Sequence, residues 1–219
     1  MFNCDIENSN NENEKIYISL GNYCLTSMLL KENNLKNMSY PFDWMVSCID
    51  NIIDIFEDNY VQFLNKNNYE LFDNKTINNY YIHNTKKLFN NLDIDHQHHN
   101  LLELNDYEYL KRCIERLNNI DINKKIIFIM IQPLYLNNIP VDNNKIIKLY
   151  NILFNKFGNK IKLIIFNIIN KNNNIYKEEF LNENLLTVEL DTNMVVGNHG
   201  MMYFDENGIS KFLKIITEI

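Results

Sequence analysis

The sequence predicts an α/β fold: a single domain with a mostly parallel sheet flanked by helices in three layers. Two runs, KIIFIMIQP and KIKLIIFNI, are almost continuously apolar, as strands covered on both faces must be. Strand-type and helix-type segments alternate, the helical ones having the roughly 10 to 15 residues that right-handed crossovers use. The 219 residues, 46% hydrophobic and 12% aromatic, supply one sizeable core. In such folds functional groups gather at the C-terminal ends of the strands.

Residues 1–14 read as a polar tail and 15–219 as the domain. Ile16, Ile18 and Leu20 alternate with Tyr17 and Ser19 in a first strand that stops at Gly21, and CLTSMLLKE then reads as a helix free of Gly and Pro. MSYPFDWMVS, broken by Pro41, loops back across the molecule with Trp44 anchoring it. Ile49, Ile52, Ile53 and Phe56 mark a helical face. Residues 60–104, rich in Asn, Tyr and His without a dominant period, read as an irregular insertion of short strands and loops over one end of the sheet.

Asp106 is an N-cap candidate for a helix carrying Tyr107, Leu110, Ile114 and Leu117, which leads into KIIFIMIQP. Ile146, Ile147, Tyr150, Leu153, Phe154 and Phe157 form the next helix, closed near Gly158, before KIKLIIFNI. LLTVEL from Leu185 is a fourth strand, and Ile209, Phe212, Leu213 and Ile216 give an amphipathic last helix from about Asp205.

A net charge of −7 and a pI near 5.3 exclude a broad basic footprint for nucleic acid or an anionic membrane. The Asn- and Ile-rich bias is what AT-rich codons produce. The longest apolar run, Ile126–Ile131, is far short of the roughly 20 residues of a membrane-spanning helix. The acidic, polar start has no secretory pattern, so the expected location is the cytoplasm or another reducing compartment. Cys4, Cys24, Cys48 and Cys113 form no CxxC pair, which argues against a zinc ribbon, a thioredoxin motif or a disulfide framework. No P-loop, GxGxxG, GxSxG or HExxH occurs, and no cofactor is expected.

Thiol chemistry is what remains. Cys24 stands where the first helix begins, and unpaired N–H groups at a helix N-terminus favour thiolate. Backbone N–H groups from Gly21 to Cys24, with the Asn22 side chain, are candidate donors to an oxyanion. His199, between Gly197 and Gly200 in VVGNHGMMYF, follows another predicted strand and is the candidate base, with Asn198 to orient it. Asp43 in PFDW is a candidate to hold an imidazole or bind substrate, or else it closes the turn after Pro41. His83 is a second candidate imidazole. Asp95, His96, His98 and His99 carry metal-type ligands, although neighbouring histidines in one loop seldom converge on one ion. The alternative for Cys24 is a small apolar residue filling a helix–sheet gap in a non-catalytic ligand-binding or interaction domain.

ISLGNYC, the helix after it and YPFDWMVS together resemble the N-terminal signature of the family described as putative papain-like cysteine peptidases, over about residues 16–47. The resemblance implies Cys24 as nucleophile, His199 as base in the order that papain-like enzymes use, and Gly21 and Asp43 as motif positions. The layout is also similar to flavodoxin-like and SGNH-type arrangements, the latter with a nucleophile after the first strand and a histidine before the last helix. The Asp that SGNH enzymes carry shortly before that histidine is absent, Val196 standing three residues back and Asp191 further away.

Overall fold

The computed structural model describes residues 14–71, 83–85, 99–133, 141–170, 175–196 and 202–219. Five strands form the main sheet: β1 (Lys15–Ser19), β4 (Lys125–Pro133), β5 (Ile161–Ile169), β7 (Leu185–Asp191) and β6 (Tyr176–Asn182), in the order β1-β4-β5-β7-β6. The first four are parallel, and β6 joins β7 antiparallel at the edge. The mostly parallel sheet expected from the apolar runs is therefore present. The sequence reading missed β6 because YKEEFLN is polar and almost wholly exposed.

Each central strand splits its side chains between two cores, as the two-residue period of a strand requires. Phe128, Met130, Leu163 and Ile165 face α2 (Ile49–Glu57), α3 (Leu104–Asn118) and α4 (Asn143–Phe157). Ile129, Ile131, Phe166 and Val188 face α1 (Cys24–Glu32) and α5 (Glu206–Glu218). Helices thus cover both faces, and the C-terminal ends of the parallel strands share one rim. Gly158 closes α4 with φ +84° and Asp205 caps α5, as expected; α3 starts at Leu104, ahead of the Asp106 that the sequence offered as its cap.

Part of the expected insertion belongs to the core. Tyr60 and Phe63 are buried and stack around Phe42 together with Phe56. After this aromatic cluster, β2 (Tyr69–Leu71) pairs antiparallel with β3 (His83–Thr85), and 72–82 and 86–98 lie outside the described residues. The anchor of the PFDW loop is the buried Phe42, while Trp44 stays half-buried. A second small pair, β8 (Met194–Val196) with β9 (Met202–Phe204), runs antiparallel before α5. No helix among the described residues is long and apolar enough to cross a membrane.

Candidate active site

The turn between β1 and α1 is built from two consecutive left-handed residues, Gly21 at φ +78° and Asn22 at φ +73°. Glycine is required at the first: a Cβ there would meet Ser47 Oγ at 2.7 Å and the Phe42 carbonyl oxygen at 3.3 Å. The close approach lets Ser47 Oγ accept a hydrogen bond from the Asn22 backbone N–H at 3.1 Å, while the Gly21 N–H donates to Ser19 Oγ at 3.3 Å. Two of the backbone donors proposed for an oxyanion are therefore committed to serine hydroxyls. Asn22 Nδ2 donates to Gln132 Oε1 at 3.2 Å, which ties the turn to the C-terminal end of β4.

Cys24 is the first residue of α1, as the sequence indicated. Its N-cap, Tyr23, is extended and supplies no side-chain cap, and the first turn carries no acid. Its first-turn N–H groups have no intrahelical acceptor, so the positive end of the helix lies at the sulfur. The thiol is half-buried. Burial pushes it above its ordinary pKa, against the pull of its own backbone N–H. Cys48 and Cys113 differ in being built into structure: Cys48 Sγ joins Asn51 in the cap of α2, and Cys113 is buried beside Arg116.

His199 and Asn198 lie outside the described residues, between β8 and β9. The strand that follows them touches the C-terminal end of α1. Tyr203 on β9 donates from its hydroxyl to Glu32 Oε1 on α1 at 3.4 Å. Its pKa is raised by burial first, then by Glu32, with a further contribution from the charge of Cys24. The C-terminal flank of His199 is thus anchored against the helix that carries the sulfur.

Asp43 is wholly buried and pairs with Lys36, whose Nζ also donates to Ser27 Oγ at 2.6 Å. Its Oδ2 accepts from the Tyr40 N–H at 2.6 Å, and its own N–H donates to the Tyr40 carbonyl. It therefore closes the turn around Pro41, the second of the two readings open in the sequence. Burial raises its pKa in spite of Lys36. His83 contributes backbone to β3, and its side chain lies outside the described residues, as do Asp95, His96 and His98. His99 Nδ1 lies 3.3 Å from Asp106 Oδ1, with its ring stacked on Tyr109 at 4.6 Å. Among the described residues no group of three or more His, Cys, Asp or Glu could hold a metal ion.

Ser19, Ser47, Gln132 and Tyr203 were not singled out from sequence. Gln132 left a trace, as the one polar residue ending an apolar strand where sites collect. Ser47 left none, because its role depends on the fold bringing it 25 residues back to Asn22.

A family model described as "Putative papain-like cysteine peptidase" matches residues 15–205, from the start of β1 to the cap of α5. No curated protein and no solved structure matches the chain.

Proposed function

The chain belongs to the putative papain-like cysteine peptidase family, and from that premise we propose that it is a cysteine-dependent hydrolase acting on an amide, ester or thioester. The observation that carries the reading is Cys24 itself: a half-buried thiol on the first residue of α1, placed by a left-handed turn at the rim where the parallel strands end. His199 takes the thiol proton, and the sulfur attacks the substrate carbonyl carbon. The oxyanion is met by first-turn N–H groups of α1 and by the remaining Nδ2 hydrogen of Asn22. Collapse expels the amine, alcohol or thiol with the proton from His199. Water, activated by the same imidazole, then hydrolyses the thioester and returns Cys24.

Because burial raises this thiol, the helix end alone does not activate it, and the reading makes the imidazole necessary. With iodoacetamide at about pH 6, Cys24 should alkylate well ahead of the other thiols, and His199→Ala should abolish the lead. A Cys24 rate no faster than that of an ordinary thiol refutes the assignment. The same raised pKa favours a second reading, a non-catalytic ligand-binding or interaction domain that keeps the family fold. On that reading Cys24→Ala retains biological activity; on ours it loses activity at an unchanged melting temperature.

A further inference from the structure

Gln132 ends the apolar run of β4 at the rim: six buried side chains, Ile126–Ile131, precede it, and it is itself only half-buried. Its Oε1 accepts from Asn22 Nδ2 at 3.2 Å, a contact between residues 110 positions apart. Asn22 is 7% exposed, so its carboxamide has little water to satisfy it and takes its direction from the protein. The backbone of the same residue is fixed separately, at φ +73° with its N–H donating to Ser47 Oγ. Ser47 therefore holds the main chain of the turn, and Gln132 holds the side chain.

The chemistry of a carboxamide makes that hold directional. Nδ2 carries two hydrogens in the amide plane and Oδ1 none, so a half-turn about Cβ–Cγ exchanges a donor for an acceptor. An acceptor placed opposite Nδ2 selects one of the two senses and, with it, the direction of the second hydrogen. The Gln132 amide has a preferred sense of its own. Its in-register neighbour on β5 is Asn167, whose Oδ1 is buried with no donor among the described residues. Neighbouring strands lie about 4.8 Å apart, so turning Gln132 Oε1 to that side would bring acceptor toward acceptor. With Oε1 on Asn22, the Nε2 hydrogens are left for the Asn167 side.

We propose that Gln132 is a positioning residue for the thiol chemistry, holding the Asn22 carboxamide so that its second Nδ2 hydrogen stands ready for the oxyanion. The inference rests on the thiol-hydrolase reading and adds to it a residue that touches neither sulfur nor substrate. As the Cys24 sulfur pair forms the S–C bond, the carbonyl π pair moves onto oxygen, and it returns when the leaving group departs. A donor held in place stabilises that charge without reorienting, whereas a carboxamide free to turn must first be ordered. Removing such a donor outright costs about 100-fold or more in rate. Releasing its orientation costs about as much as one neutral hydrogen bond, roughly tenfold.

Two reagents separate positioning from reactivity. p-Nitrophenyl acetate acylates a thiol through an oxyanion and releases p-nitrophenolate; iodoacetamide alkylates it by displacing iodide at a saturated carbon, with no oxyanion. The two rates at Cys24 in the full chain, resolved from the other thiols by peptide mass spectrometry, form a ratio that reads the oxyanion donors and not the thiol's own exposure or ionisation. Gln132→Leu should lower acylation about tenfold and leave alkylation within about twofold of the parent; if it melts early, Gln132→Met takes its place. Asn22→Gly, which suits φ +73°, should lower acylation about 100-fold, and Gln132→Leu should cost nothing further in that background. An unchanged ratio in Gln132→Leu, or the same tenfold loss in the Asn22→Gly background, would overturn the proposal. A parent Cys24 that reacts with iodoacetamide no faster than an ordinary thiol instead refutes the thiol-hydrolase reading, and this inference with it, before any variant is made.

Discussion

Replacing Gly21 by Ala tests the turn that places the candidate nucleophile. Two costs add. An alanine held at φ +78° bears the strain of the left-handed region, about 1 kcal/mol or slightly more. Its Cβ, 2.7 Å from Ser47 Oγ, must also push that hydroxyl away and strand the buried Asn22 N–H, which costs about 1 kcal/mol or more. Together they predict a loss of about 2–3 kcal/mol, or roughly 5–10 °C in melting temperature for a chain of this size. Thermal and urea melts of Gly21→Ala, Ser47→Ala and the double variant separate the two. With Ser47 already truncated, the added cost of Gly21→Ala should shrink by about 1 kcal/mol, because the displaced hydrogen bond is no longer there to lose. A single variant melting within about 1 °C of the parent, or costs that add to within about 0.3 kcal/mol, would refute this account of the turn.

Further consequences can be measured in the same way. Lys36→Met leaves the carboxylate of Asp43 buried without its cation, and should cost about 3–5 kcal/mol in urea unfolding, with Asp43→Asn in the same chain recovering part of it; no recovery would mean the pair is not what the loop depends on. Burial raises the pKa of Cys24, Cys48 and Cys113, so the folded chain holds these protons where the unfolded chain has released them. Their contribution to stability is complete below the ordinary thiol pKa, near 8.5, and declines as pH rises through the elevated values. Cys113→Ala should flatten that alkaline decline, and a slope identical to the parent's would contradict it. Phe212→Ala, which removes a ring packed against Phe166 and Phe204, should cost about 3–5 kcal/mol by chemical denaturation; a loss under about 1 kcal/mol would show that the face under α5 repacks.

The parallel core was legible because its signal is local: long apolar runs have no partner in a soluble fold except a sheet covered on both sides. The position of Cys24 was legible for a similar reason, since a glycine after an alternating strand and before a helix-forming run marks a strand–turn–helix junction. β6 was not, because an edge strand needs only one paired side and its sequence looks like any polar loop. Asp43 shows a different limit. A carboxylate beside Pro41 reads equally well as a ligand or as a turn closure, and the turn closure shows only once the fold brings Lys36 and the Tyr40 N–H within reach. Gln132, Asn167 and Glu189 stand side by side in register on three neighbouring strands, so no window of sequence contains their juxtaposition.

The segment from Lys36 to Ser47 touches the first helix twice: through Lys36 at Ser27, with Asp43 behind it, and through Ser47 at the turn before Cys24. The turn before the sulfur is thereby held by a bracket whose members, Lys36, Asp43 and Ser47, are not among the groups proposed to meet a substrate. Alterations to the rim can redirect what is bound while the sulfur stays in place, and alterations to the bracket can displace the sulfur without touching a ligand. On the proposed thiol chemistry, the groups that meet a substrate and the groups that hold the sulfur's turn therefore belong to different parts of the sequence, so each set can change without the other.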